Sequence, residues 1–598
     1  MRLIIHFTND INAEIKTLEI DNTNWETINR FVKDIVPIES EVPGSLVISW
    51  KNFLACKNEL AKLARIYGIE IILTEEAKEQ IRVDSESGYF SAVKRSPENI
   101  ENIISVLSEK KWRQERMLTP EQQRNVCRLA ALPAGATFSV PGAGKTTEAL
   151  AYYFFHANEE DKLLVVAPKN AFPAWEEQLD ECVNGGYKFK RLTGGYSNIE
   201  AILESDPRFM LIAYKQLSLV EDIIIEHLRK SSVFMFLDES HRIKGGSGKK
   251  TVDSVLKMAF LPTRKLIMSG TPMPQSEQDL DPQIHFLYPE LGLQKRPSIE
   301  LIKPIYVRTT KTELGLTKPI RSIISVFLTG PQLEFYNLLK SETMRQMMGI
   351  TRFNRANLRR IGRSVIKLMQ FVSNPSLLAK DILNNFSEEL SQILVDGGSV
   401  KVDYACKRAR ELAKEGKKTI IWTSFVKNVE LIAMRLEDIG ADYIHGGVEA
   451  GDDTEEETRE GKIKRFHDDE NAMVLVANPA AAAEGISLHK VCHTAIYVDR
   501  TFNAAQYLQS EDRIHRLGLP KNVTTNIEIL ECKNTIDEVI KKRLEEKVAR
   551  MGEVLNDSSL NISADEYIFE EDDILGITGI GEKDAELILS YLLGGVYD

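Results

Sequence analysis

Residues 139–147 read Ser-Val-Pro-Gly-Ala-Gly-Lys-Thr-Thr, between an apolar run, ATFSV, and a helix-patterned stretch, EALAYYFFH. A strand, a glycine loop and a helix in this order form a phosphate cradle. Pro141, Gly142, Ala143 and Gly144 let backbone N–H groups approach the oxygens, and the helix N-terminus adds a positive dipole. Lys145 then reaches the β- and γ-phosphates, and the Thr146 hydroxyl, with Thr147 beside it, serves Mg²⁺ and nucleotide. One position departs from the usual loop: Ser139 stands where its first glycine is expected.

The run VFMFLDESHR, about 90 residues downstream, supplies the other half of that chemistry at Asp238 and Glu239. A carboxylate ending an apolar strand holds Mg²⁺ through water, and its neighbour polarises an attacking water. Alone, either feature has an ordinary explanation, an incidental Gly-Lys-Thr turn or a solvated strand end. Together they predict an ATP site with Mg²⁺ held by Thr146 and Asp238.

Parallel sheets must position these groups. ATFSV, KLLVVAP, FMLIAY, VFMFLDE and KLIMSG are near-continuous apolar runs ending in short turns, as strands covered on both faces are. A second series, KTIIWTSF, ADYIHG, MVLVANP and TAIYVD, follows residue 400. The expected class is α/β, with two such sheets separated by a helical stretch. Residues 1–115 carry a smaller α/β pattern, strand-like in RLIIHF, SLVISW and IEIILT and helical in NFLACKNELAKLARIYG, with nothing that looks catalytic.

The 598 residues suffice for roughly four domains. With 43% hydrophobic and 27% charged residues, the chain is excluded from the disordered, collagenous and disulfide-stapled classes. No apolar run is long enough for a membrane span, and the start, MRLIIHFTND, predicts no secretory signal. The six cysteines are scattered without Cys-x-x-Cys spacing, which predicts a reducing cytoplasm. His489 and His493 lack a second ligand pair, so no metal centre is expected there. The net charge is −12, but residues 551–598 hold twelve acidic side chains and one basic, Lys583. The remaining body is nearly neutral, and a basic groove on it could still steer a polyanion.

From about residue 118 to 520 the chain resembles the Swi/Snf-type ATPases of helicase superfamily two, through many blocks in the expected order. LTPEQQ resembles the adenine-reading block, with Gln122 at the glutamine position. PKNAFPAW, with Lys169 and Trp175, and LIAYKQL, with Tyr214, are similar to the next two. DESHRIKG is close to the DE-x-H-x-x-K block, and its DESH form resembles the annealing-helicase branch. MSGTPMPQ resembles the coupling block, Ser269, Gly270, Thr271 and Pro272. VRTTK and GPQLEFY are similar to the linking blocks. IWTSF, YIHGG, TREGKIKRF, NPAAAAEGISL (with Gly485) and YLQSEDRIHRLG (with Gln509) resemble the later ones.

The resemblance implies two RecA-like lobes, 116–318 and 401–545, around a helical protrusion or linker at 319–400, after an accessory domain at 1–115. It also implies that Arg513 and Arg516 are arginine fingers reaching across the interlobe cleft to the γ-phosphate. Gln275, Ala481, Ala482 and Ser487 depart from the family pattern, in directions close to the annealing branch.

Lys340 to Lys367 holds eight basic residues and one acid, Glu342. Arg352, Arg355, Arg359 and Arg363 share one helical face, either a DNA-phosphate stripe or a solvated surface. Residues 546–598 are expected to be an acidic linker followed by a segment, DDILGITGIGEKDAELILSYL, that resembles a helix-hairpin-helix. Its Gly579 and Gly581 would form a hairpin that holds a phosphate, yet its acidity equally suits a protein-docking or autoinhibitory role.

The expected activity is ATP-dependent translocation on double-stranded DNA. The alternatives are a strand-separating helicase on single-stranded or branched DNA, or on RNA, and an ATP-gated scaffold of a defence or repair complex. Expected partners are duplex DNA, RNA second, and a protein at the N-terminal domain or the acidic tail, with no membrane. A cytoplasmic protein of bacterial or viral origin is expected.

Overall fold

The computed structural model describes residues 1–8, 12–20, 23–36, 38–87, 89–243, 250–291, 297–347, 355–378, 398–449, 451, 455, 457–482, 487–519, 523–557, 560 and 582–592. Its strands form three sheets.

The first contains β1 (Arg2–Thr8), β2 (Asn12–Thr17), β3 (Ser40–Val42), β4 (Ser45–Ser49) and β5 (Glu70–Leu73), in the order β3-β4-β2-β1-β5. Alternate residues point inward: Leu3 with Ile5, Ala13 with Ile15, Leu46 with Ile48. They pack with Ile28 and Val32 of helix Thr23–Ile35 and Phe53 and Leu60 of helix Trp50–Ile66.

The second sheet is all parallel. It holds β6 (Ala134–Thr137), β7 (Lys162–Val166), β8 (Lys190–Arg191), β9 (Phe209–Ile212), β10 (Val233–Asp238), β11 (Arg264–Met268) and β12 (Tyr306–Val307), ordered β12-β6-β11-β10-β7-β9-β8. Three of its strands, β6, β7 and β9, are buried throughout, and β11 is buried beyond its first residue, as strands covered on both faces are. Strand β10 is buried up to its last residue, Asp238.

The third is also parallel. It holds β13 (Ile320–Val326), β14 (Thr419–Trp422), β15 (Ala441–Ile444), β16 (Val474–Ala477), β17 (Thr494–Tyr497) and β18 (Asn526–Cys532), ordered β13-β18-β17-β14-β16-β15. This corrects one sequence expectation: Ile320–Val326, placed in the helical linker, is the outer strand of this sheet. As an edge strand it leaves Ile320 and Ile323 exposed, so it lacks the unbroken apolar signature of its neighbours.

Contacts divide the chain into two units. One comprises Met1–Ser139, Gly144–Pro272 and Glu277–Thr309; the other comprises Val140–Ala143, Met273–Ser276 and Thr310–Asp598. The N-terminal sheet therefore groups with the second sheet. Arg128 fastens that arrangement, donating to the Arg95 and Pro304 carbonyls at 2.7 Å each.

In the second unit, helix Glu582–Leu592 buries Ala585, Ile588, Tyr591 and Leu592 against a core that includes Tyr336, Phe371 and Leu544. The hairpin glycines Gly579 and Gly581 lie outside the described residues. Among the described residues, no helix is long and apolar enough to cross a membrane.

Candidate nucleotide site

Strand order brings the chemistry together. β6, β11 and β10 are adjacent and parallel, with Thr137 level with Met268 and Met268 level with Asp238. The phosphate loop, the Ser269–Pro272 block and the Asp238–Glu239 pair therefore leave the same edge of the sheet from three neighbouring strands. Ligands of open parallel sheets bind at this carboxyl edge.

The loop has the backbone its glycines permit, with Gly142 and Gly144 at φ +87° and +84°. Helix Lys145–His156 starts at Lys145, whose Nζ donates to the Ser139 carbonyl at 2.9 Å. Thr146 follows, and Thr147 Oγ1 donates to Gln178 at 2.9 Å. Gln122 sits in a capping box with Thr119 at the start of helix Pro120–Ala130. Its amide lies against Gly144 so closely that a side chain there would collide with Nε2.

Asp238 is held from several sides. Trp175 Nε1 donates to Oδ2 and the Glu239 N–H to Oδ1, each at 2.9 Å, while Tyr214 donates to its carbonyl at 2.7 Å. Burial raises the carboxyl above its usual range, and the Trp175 bond and the Lys145 charge draw it back down. Glu239 adopts φ +50°, a left-handed conformation rare outside glycine, which turns its side chain off the strand line.

His241 Nδ1 lies 2.9 Å from Ser269 Oγ and 3.3 Å from Glu239 Oε2, and the Thr271 N–H donates to Ser269 Oγ at 3.1 Å. Gln283, fully buried, accepts from Ser240 Oγ at 2.8 Å and donates to the Pro272 carbonyl at 2.7 Å. The acidic pair and the coupling block are thus tied by two hydrogen-bonded paths.

Hard oxygen donors, the Asp238 carboxylate and the Thr146 hydroxyl, suit Mg²⁺, which keeps water and phosphate for its other positions. Among the described residues no cluster of three His, Cys, Asp or Glu could hold a metal unaided.

The second unit carries Gln509 and half-buried Arg513 and Arg516 at and beyond the end of helix Ala504–Asp512. The Leu488 N–H donates to the Arg513 carbonyl at 2.8 Å. Burial first, then the Arg516 charge, lowers His489 to about 4. Gly485 and Arg352 lie outside the described residues. Arg355, Arg359 and Arg363 fall on helix Arg355–Ser373, where Arg363 is exposed. Arg360 and Lys367, which the sequence stripe omitted, are exposed on the same helix. Lys169 is exposed in a short turn after β7.

Sequence reasoning missed the roles of Gln283, Asn125 and Glu148, and for Trp175 it gave a block but no contact. Asn125 alone had a local signal, three residues after Gln122 on one helical face.

The SNF2-related domain matches residues 135–377 and the helicase conserved C-terminal domain matches 401–518. Chromodomain-helicase-DNA-binding protein 1-like of Danio rerio is 23% identical over 455 residues, 70% of this chain and 42% of that protein. SWI/SNF-related matrix-associated actin-dependent regulator of chromatin subfamily A member 1 of Homo sapiens is 22% identical over 470 residues, 71% of this chain and 43% of that protein. The chain thus spans less than half the length of these relatives. A solved Sulfolobus solfataricus SWI2/SNF2 ATPase core in complex with dsDNA covers 79% of this chain and 97% of its own, at 19% identity and a TM-score of 0.31.

Proposed function

The chain belongs to the Swi/Snf-type ATPases and helicases of superfamily two, and from that premise we propose that it hydrolyses ATP to move along double-stranded DNA. The observation that carries this reading is the convergence of Lys145, Asp238–Glu239 and Ser269–Thr271 at one edge of three adjacent strands.

Lys145 leaves the Ser139 carbonyl to meet the β- and γ-phosphates, while loop N–H groups hold the remaining oxygens. Glu239 orients and polarises the attacking water. Asp238 and Thr146 would hold Mg²⁺, which when bound neutralises charge between the phosphates. Arg513 and Arg516 supply guanidinium charge to the γ-phosphate in the transition state. His241 and Gln283 pass the state of the acidic pair to Ser269–Pro272. Exposed Arg360, Arg363 and Lys367 offer phosphate contacts that carry no base preference.

The test is steady-state ATPase with no nucleic acid, single-stranded DNA, duplex DNA, forked DNA and RNA, using Lys145→Ala as blank. Strong stimulation by plain duplex supports translocation, with triplex displacement as the next measurement. Stimulation by single strands or RNA instead favours a strand-separating helicase. Turnover near the blank throughout overturns the reading in favour of an ATP-gated scaffold.

A further inference from the structure

Ser139 and Thr309 are each the last residue before the chain leaves the first unit, at Val140 and at Thr310. The Thr309 N–H donates to Ser139 Oγ at 3.0 Å, so one hydrogen bond clasps two of the three exits, the third following Pro272. It is the last rung of a ladder. The Ala136 N–H donates to the Ile305 carbonyl and the Phe138 N–H to the Val307 carbonyl, while the Arg308 guanidinium bonds the Phe138 carbonyl. Beyond Phe138 the backbone turns into the loop, and the side chain of Ser139 makes the rung that backbone no longer makes.

The clasp sits in a dry polar cluster. Asn125, Thr137, Ser139, Glu148 and Thr309 are each no more than 1% exposed. Thr137 Oγ1 lies 2.7 Å from Glu148 Oε2 and 3.2 Å from Ser139 Oγ, positioned as donor toward each, so Ser139 Oγ is an acceptor on this side too. Asn125 spends its two amide protons on Glu148 Oε1 at 2.7 Å and Thr309 Oγ1 at 2.9 Å; Ser139 Oγ lies farther, at 3.4 Å. Ser139 is therefore the acceptor of the Thr309 N–H in a site closed to water. Its own carbonyl holds the Lys145 ammonium.

We propose that Ser139 is a positioning residue whose hydroxyl couples the phosphate loop to the strand end at Thr309, so that loop geometry follows that exit point. This rests on the ATPase reading above. It implies that the glycine usual at this loop position is wrong for this chain, because it leaves a buried N–H without its acceptor.

The experiment compares Ser139→Gly, Ser139→Ala, Thr309→Val and Thr309→Ser in the full chain. It reads affinity for a fluorescent ATP analogue, KM and kcat for ATP, the ratio of duplex-stimulated to basal turnover, and the urea midpoint. Thr309→Val, which keeps the backbone N–H that Ser139 accepts, should bind within about twofold of wild type, whereas Ser139→Gly and Ser139→Ala should each weaken analogue binding about tenfold, the effect of one unmade buried hydrogen bond. Both serine replacements should also raise KM more than they lower kcat and reduce the stimulation ratio. Thr309→Ser, which keeps the hydroxyl, should bind like wild type. Wild-type affinity in Ser139→Gly, or losses that track only the folded fraction, would overturn the proposal. The binding readout stands even for a wild type that duplex DNA does not stimulate, so failure of the translocase reading is seen separately.

Discussion

The Trp175 indole nitrogen donates to Asp238 Oδ2 at 2.9 Å from a ring with no exposed surface. Because Glu239 N–H occupies Oδ1, both carboxylate oxygens are oriented before any ligand arrives. Trp175→Phe keeps most of the packing and deletes the donor. Turnover should fall about tenfold, the Mg²⁺ concentration for half-maximal rate should rise, and stability should drop by about 1–2 kcal/mol. An Mg²⁺ titration of the ATPase with urea unfolding checks this; an unchanged Mg²⁺ requirement would count against it.

Glu148 should make stability depend on pH. Burial pushes its carboxyl from 4.5 up to about 7, despite the hydrogen bonds from Asn125 and Thr137. The folded state then holds this proton more tightly than the unfolded chain. The stabilisation is complete below the unfolded value and is lost as pH rises through the folded one, amounting to about 3 kcal/mol at roughly 1.4 kcal/mol per unit. Between pH 5 and 8 the urea midpoint of the wild type should fall more than that of Glu148→Gln. Parallel curves would show that Glu148 does not titrate there.

Glu239 combines a functional carboxylate with a strained backbone at φ +50°. Glu239→Gly removes both, so it should unfold no earlier than wild type, and later by about 1 kcal/mol, while losing at least about a hundredfold in turnover. Glu239→Gln should lose turnover equally but still bind ATP. Thermal unfolding and single-turnover hydrolysis separate the two effects.

Arg360, Arg363 and Lys367 present charge on one exposed face of a helix whose other face is core. Replacing all three with alanine should weaken duplex binding for every sequence alike and make the salt slope shallower by about 1 for each phosphate no longer neutralised. Basal ATPase without DNA should not change. Affinity measured from low to high salt decides this, and an unaltered slope would remove the face from the DNA surface.

Asp584 is buried between Arg543 and Lys547, with Lys547 Nζ at 3.1 Å. Asp584→Ala would leave two cations facing each other and should destabilise the chain by about 3–5 kcal/mol. Lys340, stacked over the Tyr591 ring at 3.6 Å, should become more accessible to chemical labelling. Loss of DNA binding at unchanged stability would instead mark this helix as a nucleic-acid module.

The second sheet was legible because five of its strands are unbroken apolar runs. β13 and β18 were not, since IRSIISV is an edge strand and NIEILEC carries two glutamates in a sheet otherwise read by its hydrophobicity. The nucleotide motifs could be placed because each is a contiguous string. Gln283 and Thr309 could not, because their partners are remote: Ser139 lies 170 positions before Thr309, and nothing near either residue signals the other. Ser139 stood out as a departure from the loop pattern, yet the reason for its hydroxyl exists only once β6 and β12 are paired.

The pairing of β13 with β18 sets Ile320 beside Asn526, so the outer strand of the third sheet emerges from the ribosome 206 residues before its neighbour. At roughly 5–20 residues per second, that wait lasts about 10–40 s. Throughout it a strand bearing Ile320, Ile323 and Ile324 has no ladder to join, and closing so long a loop is slow even afterwards. Nascent chains of this protein should therefore engage chaperones over this interval, and yield in the cell should depend on how well those few isoleucines are shielded until synthesis passes Cys532.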